Sequence, residues 1–373
     1  MGVLNKFKQA LKAALLAALC FLHLGAPAAP VAYAPVLPGR PLVFPADFGA
    51  HPEFKTEWWY VTGWLTRANG KPLGFQVTFF RSRTGAADAN PSAFAARQLI
   101  VAHVAVSDPA LGHLVHDQRS GRQGFDLNHA RQGMTDLKLD DWTMRRRADG
   151  VYEVAVAARE LQLRLTLTPT APPLPQGQAG DGFSQKGPQA RHASYYYSEP
   201  QLKVTGGAGA GSGAANSAGA GAVTGTAWLD HEWSSEALDP AASGWDWVGA
   251  NLADGSALMA FQIRARRGGK LWAHAVLRDA AGKVTQFGAD QVSFTPRTWW
   301  KSPASGATYP VATTLVTGPH SWRLTPLQND QELDSRRSTG AIYWEGAMSL
   351  ERDGMPVGHG YLEMTGYDRP MTL

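Results

Sequence analysis

The chain is 373 residues long, more than one ordinary core takes, and 44% of it is apolar, ample for two packed domains. Three of the charges behind its formal net +4 are Lys6, Lys8 and Lys12, ahead of a single apolar run. The remainder is nearly neutral, which excludes the basic footprint of a nucleic-acid binder. Cys20, the only cysteine, lies inside that run, so the rest of the chain offers neither a disulfide nor a thiol nucleophile.

In chain order, the three lysines, the apolar residues 13–24 and small-residue cleavage options at Ala26-Pro27-Ala28 or Ala32-Tyr33-Ala34 predict a signal peptide over 1–34. The run falls short of the ~20 residues that span a bilayer. After cleavage no stable transmembrane segment remains, and the expected location is periplasmic or secreted, in a Gram-negative-type envelope. Leu19 is not the small residue that a lipoprotein signal places before its cysteine. Segments 57–65, 74–83 and 99–107 are rich in aromatic and β-branched residues and punctuated by turns such as Asn69-Gly70, which predicts strands. Leu161, Leu163, Leu165 and Leu167 alternate with polar residues, the period of a half-buried strand. Residues 172–187, rich in Pro, Gly and Gln, predict an irregular loop. Residues 206–225 are almost wholly Gly, Ala and Ser and predict a floppy loop inserted in a hairpin. Asp254-Gly255 and Asp353-Gly354 each join two further strands. No long 3.6-residue period occurs, so helices should be few and short. The domain boundary is placed at Asp239-Pro240, giving domains 35–239 and 240–373.

The two ends of the chain repeat each other. Trp59, Leu65, Phe75-Gln76-Val77, Ala102-His103 and Asp108 recur in order as Trp247, Leu252, Phe261-Gln262-Ile263, Ala273-His274 and Asp279. A longer loop at 85–96 absorbs the difference in spacing. This predicts a duplicated antiparallel β unit, curled to protect its edges. Barrel interiors and the seam between units are then the candidate cavities.

The densest chemical cluster is Trp228-Leu229-Asp230-His231-Glu232-Trp233. On a strand, Asp230 and Glu232 share one face, and His231 and Trp233 the other. If the second face borders a cavity, His231 could move a proton beside an aromatic wall, tuned by a carboxylate. The alternative is a structural network tying strand ends to a loop. A second cluster, Glu57-Trp58-Trp59-Tyr60, has its counterpart in Trp245-Asp246-Trp247, and Ser194-Tyr195-Tyr196-Tyr197 adds a third aromatic patch. These rings either bind a ligand or fill a core. A zinc site from His231 and Glu232 with His103, His274 or Asp246 lacks the usual tight ligand pair, so no metal or other cofactor is expected. No G-x-S-x-G elbow occurs in a strand-to-helix context, and no phosphate loop or dinucleotide fingerprint is present.

Glu57-Trp58-Trp59-Tyr60, Tyr195-Tyr196-Tyr197-Ser198, Asp230-His231-Glu232-Trp233 and Gly244-Trp245-Asp246-Trp247, taken together, resemble the hydroxyneurosporene synthase (carotenoid 1,2-hydratase) and AttH-like family. The resemblance runs from about Phe44 to the C-terminus. It implies an all-β chain of two consecutive lipocalin-like barrel domains, and hydration of a carbon–carbon double bond in an isoprenoid or lipid-like molecule, or hydrolysis. Protonation would give a cation held against an aromatic face, a contact of ~2 kcal/mol or more when desolvated. His231 and Trp233 match the family's His-x-Trp pattern; Asp230 fits it, and Glu232 joins them as a candidate catalytic residue. Glu57, Trp58, Trp59, Tyr60, Tyr196, Trp245, Asp246 and Trp247 are the candidate substrate-binding residues. Strand 256–264 offers no acid where carotenoid hydratases carry one, so Glu57, Asp230, Glu232 or Asp246 would have to supply the proton. Secreted bacterial members are labelled predicted secreted hydrolases, and some are encoded with ABC-transporter permeases. The resemblance therefore also implies a non-catalytic reading, a hydrophobic-ligand carrier or accessory protein of an ABC export system.

Overall fold

In this computed structural model the described residues are 31–85, 88, 90–211 and 220–371, so nearly all of the expected signal segment lies outside them. The described chain is almost entirely β. Its only described helix is the 3₁₀ turn Ala46–Phe48, and no described helix is long and apolar enough to cross a membrane. The first sheet is built from β1 (Thr56–Arg67), β2 (Pro72–Arg83), β3 (Gln98–Ser107), β4 (Leu114–Arg122), β5 (Asn128–Ala130), β6 (Asp136–Leu139), β7 (Trp142–Arg146), β8 (Tyr152–Ala157), β9 (Leu161–Thr168), β10 (Leu174–Pro175), β11 (Phe183–Gln185), β12 (Ala193–Ala210) and β13 (Gly221–Glu236). The second takes β14 (Ala242–Leu252), β15 (Ala257–Ala265), β16 (Lys270–Arg278), β17 (Val284–Phe287), β18 (Val292–Lys301), β19 (Thr308–Thr317), β20 (His320–Pro326), β21 (Glu332–Asp334), β22 (Ile342–Arg352) and β23 (Met355–Met364).

Both sheets follow one plan. A four-stranded meander, β1–β4 or β14–β17, is continued by pairing its first strand with the last strand of its own unit, β13 or β23. Each sheet curls around its own core. Trp59, Val61, Phe75, Val77, Leu163, Leu165 and Trp233 fill the first, and Val248, Ala250, Leu258, Trp322 and Trp344 the second. This is the architecture of two lipocalin-like barrels. A third apolar cluster, with Tyr60, Trp228, Trp247 and Phe261, lies in the seam between them.

The repeat is real, but two of its sequence pairings are off by an odd number of residues: Trp247 corresponds to Tyr60, one beyond Trp59, and Phe261 to Thr78, three beyond Phe75, whereas His103 and His274 do correspond. Trp59 belongs to the first core whereas Trp247 belongs to the seam, and Phe75 and Phe261 split the same way. Because a strand alternates faces, a slip of one residue turns every side chain to the opposite side. Cross-strand neighbours give the correct correspondence: Tyr60, Thr78 and His103 are aligned across β1–β3 as Trp247, Phe261 and His274 are across β14–β16.

The Gly/Ala-rich stretch is also shorter as a loop than 206–225. Gly206–Ala210 pair with Leu165–Leu161 of β9, and β13 resumes at Gly221. Such small residues bury little side chain, but pairing with β9 along 206–210 and with β13 as far as Ala208 satisfies their backbone groups and holds them extended. The hairpin reading stands, since β12 pairs with β13 up to Ala208 and Gly221. A bulge between Glu199 and Leu202 puts Gln201 at φ 60°. There its amide reaches the carbonyls of Leu252 and Ser256 at 2.9 and 2.7 Å, tying the first sheet to the β14–β15 turn.

Candidate functional site

The faces of β1, β2, β3 and β13 that turn away from the first core meet the corresponding faces of β14, β15, β22 and β23. Between them lies a cavity of about 400 Å³, within the range that takes a small-molecule ligand. Its walls are mainly apolar: Trp58, Tyr60, Phe80, Trp245, Trp247 and Phe261 supply the rings. The duplicated plan also places acids there. In each unit the last strand sets a carboxylate beside an aromatic residue of the first strand, Asp230 opposite Tyr60 and Glu363 opposite Trp247. Glu232 and Glu345 complete a set of four.

These acids are poised differently. Asp230 accepts hydrogen bonds from Tyr196 (2.8 Å), Ser198 (2.5 Å) and Trp228 (2.7 Å). Burial outweighs those donors and pushes its pKa up to about 7. Glu232 instead pairs with Lys186 at 3.0 Å, whose ammonium also lies over the Tyr196 and Phe261 rings. Glu345 is raised well above the ordinary range by burial and by the facing Glu363; Glu363 is raised too, first by burial and then by the neighbouring carboxylates. At the wall beside Glu345, His103 bonds Tyr343 Oη at 2.7 Å and Ser338 Oγ at 2.8 Å. Burial lowers its pKa to about 3, so it sits there as a neutral imidazole.

The expectation that the His231 imidazole looks into the cavity is not met. His231, Trp233, Glu57 and Trp59 lie on the other faces of β13 and β1, inside the first barrel. There Glu57 Oε1 accepts from His231 Nε2 at 2.8 Å and His51 Nδ1 at 2.7 Å, while its Oε2 accepts from Arg81 Nε at 2.7 Å. His51 Nε2 reaches Asp47 at 3.0 Å, and Tyr197 closes the far side of His231 at 3.1 Å. Burial alone would lower His51, but the Glu57 and Asp47 carboxylates lift it to about 8. His231, desolvated between Trp59 and Trp233, falls to about 4. The ligating atoms of His51, Glu57 and His231 lie within 4.8 Å of one another. Each is already engaged in a hydrogen bond, and Arg81 and His51 supply the cationic charge beside Glu57. The arrangement is that of a structural network tying the 46–54 segment to β1, β2 and β13.

The predicted set therefore divides by face. Asp230, Glu232, Trp58, Tyr60, Trp245 and Trp247 line the cavity. Tyr196 stands behind Asp230, also bonded to Trp247 Nε1 at 3.1 Å. Asp246 turns to the second barrel, where Gln262, Tyr367 and Arg264 hold it. Glu345, Glu363 and Lys186 escaped the sequence reading. A lone acid in an otherwise apolar strand, Tyr343-Trp344-Glu345 or Tyr361-Leu362-Glu363-Met364, was the available signal. Lys186 ends the loop predicted at 172–187, which carries the short strands β10 and β11 against β12.

Comparison with known proteins agrees with this architecture. The solved structure of an AttH candidate from Nitrosomonas europaea is 57% identical; the match covers 90% of this chain and 99% of that one, with a TM-score of 0.82. Kievitone hydratase from Nectria haematococca shares the fold at 15% identity, covering 91% of this chain and 96% of its own, with a TM-score of 0.66. CghA with Sch210972 does so at 14% identity, 84% and 89% coverage and a TM-score of 0.50. No curated protein matches in sequence. The profile of the AttH-like family spans residues 35–367, and the chain belongs to that family.

Proposed function

We propose that this protein is an exported enzyme of hydratase type whose substrate is an apolar, isoprenoid- or lipid-like small molecule held in the seam cavity. One observation carries the reading: carboxylic acids whose pKa is raised by burial, Asp230, Glu345 and Glu363, open onto a cavity walled by Trp58, Trp245 and Trp247. An acid kept protonated near neutral pH can give its proton to an alkene carbon. The π electrons form the new C–H bond and leave a cation on the other carbon, which an indole face stabilises. Water then adds its oxygen to that carbon, and its surplus proton returns to the carboxylate. The fold shared with kievitone hydratase supports this reaction class.

The test incubates the chain lacking its predicted signal with an envelope lipid extract in ¹⁸O-labelled water and follows the molecules by mass spectrometry. A retained apolar molecule with a product that gains labelled water, lost in Asp230→Asn, is the expected result. Retention without any altered molecule would replace the enzyme by a carrier, a component consistent with an ABC export system. No retention at all would overturn the cavity reading. Secretion is checked separately, by the N-terminus of the protein recovered from the periplasm or medium.

A further inference from the structure

Three large apolar side chains stand exposed at one edge of the first barrel. Phe94 (69% exposed) lies between β2 and β3, and Phe125 (54%) and Leu127 (58%) lie between β4 and β5. The two phenyl rings touch, with centroids 5.0 Å apart, and the Arg122 guanidinium lies 5.1 and 4.9 Å from those centroids. This arrangement strains the backbone. Residues 124–127 form a tight hairpin turn, closed by the Leu127 N–H on the Gly124 carbonyl at 3.2 Å, with φ 56° at Phe125 and 55° at Asp126. Two consecutive positive φ angles are what a type I′ turn requires, and Asn and Gly take them with least strain. A phenylalanine there is strained, and its ring is left mostly in water. The Phe94 turn is also built, not slack: the Phe94 N–H bonds Ser92 Oγ at 3.1 Å, and the Ala95 N–H bonds the Ser92 carbonyl at 3.1 Å. Two separate loops thus hold aromatic rings outward at the same place, which is how an interaction site is marked on a surface.

We infer that the tip formed by Phe94, Phe125 and Leu127 docks the protein on an anionic lipid bilayer, at the edge where the seam cavity opens, so that an apolar ligand enters from the membrane surface. Charge and position name this occupant. Among the described residues neither Arg122 nor Arg97, at the base of the two loops, meets a carboxylate: Arg122 lies against the rings, and Arg97 reaches the Asn90 carbonyl. The tip is convex and far smaller than the roughly 800 Å² a side that a stable protein interface buries. Rings flanked by guanidinium groups suit a headgroup layer instead, with the rings in the acyl boundary and the cations on phosphate. The cavity wall reaches the same edge. Ser82 and Leu99 line it and are cross-strand partners, and Leu99 is paired in turn with Arg122. Lys55, Ser82 and Leu99 are half-buried there, whereas Tyr60 and Thr78 deeper in the wall are buried, so this end is the open one. Docking stands on the tip alone; entry of a ligand from the bilayer rests on the seam cavity being the ligand site.

The experiment sediments the chain lacking its predicted signal, whose apolar run would itself bind lipid, with two kinds of vesicle. One is equal parts phosphatidylethanolamine and phosphatidylglycerol, the other phosphatidylcholine alone. Binding should be several-fold tighter to the anionic vesicles and should weaken with salt. Phe125→Asn should weaken it about tenfold or more, with the urea midpoint retained or raised because asparagine suits the turn. Arg97→Gln should weaken it about fivefold, on the anionic vesicles alone. Quenching of tryptophan fluorescence by farnesene, an isoprenoid hydrocarbon, should be the same for all three proteins in solution. Farnesene uptake from preloaded anionic vesicles should be slower in both variants. No vesicle binding by the wild type, or equal binding by Phe125→Asn, overturns the docking surface and leaves the cavity reading standing. Self-association that Phe125→Asn abolishes, without vesicle binding, gives the tip to a second copy of the chain and overturns it as well. Vesicle binding without farnesene uptake keeps the docking surface and removes the cavity as the ligand site.

Discussion

Glu345 and Glu363 sit directly opposite each other on β22 and β23, and both face the cavity between the two barrels. Like charges at such a cross-strand pair repel, and burial disfavours either charge. The pair therefore holds at least one proton near neutral pH, and with Asp230 it makes this end of the cavity uncharged when protonated.

Binding of a neutral hydrocarbon should follow that protonation. Asp230 has its pKa raised to about 7, and both glutamates are raised. All are acids, so they are neutral below the shifted values and charged above them. Farnesene affinity should be greatest near pH 6 and fall several-fold by pH 8 as the carboxylates ionise and retain water. Glu363→Gln should flatten the profile. Fluorescence titrations across this range check it, and an affinity that rises with pH would contradict it.

The His231 network makes the opposite kind of prediction. His231→Ala removes a ring packed between Trp59 and Trp233 and a hydrogen bond to buried Glu57. The expected cost is about 2–4 kcal/mol of stability, read by urea denaturation, with farnesene binding unchanged at permissive temperature. Glu57→Ala leaves Arg81 without its carboxylate and His51 with Asp47 alone, and should cost about 3–5 kcal/mol. Loss of turnover in a His231→Ala protein of wild-type stability would restore a catalytic role.

Much of this was legible in the sequence. The aromatic and β-branched content of 57–65, the alternation at Leu161–Leu167, and the turn residues Asn69-Gly70 and Asp353-Gly354 specify β-strands and hairpins by local chemistry. The split of Asp230 and Glu232 from His231 and Trp233 follows from strand alternation alone. Which of the two faces borders a cavity does not, because that depends on how the curled sheets meet. The same ignorance let Trp59 be paired with Trp247 instead of Tyr60. Glu345 and Glu363 lie more than a hundred residues beyond the Asp230 cluster, and it is the meeting of the two sheets at the seam that sets them on the same cavity. His51 joins Glu57 from a segment without regular structure, where no periodicity marks it.

His51 gives stability a specific pH dependence. Its pKa is raised from 6.5 to about 8 by Glu57 and Asp47 against the effect of burial. A basic group raised on folding contributes stability that is fully present below its unfolded pKa and lost as pH rises through the folded one. The contribution is therefore complete below about pH 6.5 and gone above about pH 8, on the order of 2 kcal/mol. Denaturation midpoints of the wild type minus those of His51→Gln, compared at pH 6 and pH 8.5, should show that difference shrinking. A difference that grows with pH would reverse the assignment.

The seam itself depends on small residues. A Cβ built on Gly74 of β2 would lie 2.5 Å from the Ala347 Cβ of β22 and 3.1 Å from the Tyr361 hydroxyl. No larger residue fits there unless the two sheets separate, since close-packed interiors leave no room to absorb a side chain. Gly74→Leu should therefore act at the junction and leave both barrel cores alone. The expected outcome is a wider seam: weaker farnesene binding by at least several-fold, with far-UV circular dichroism retained. Stability should fall by about 1–3 kcal/mol. Ala347→Gly in the same chain relieves the closest contact and should recover part of both losses. If Gly74→Leu left ligand affinity and stability at wild-type levels, the close approach of β2 and β22 would be wrong, and with it the cavity that this approach encloses.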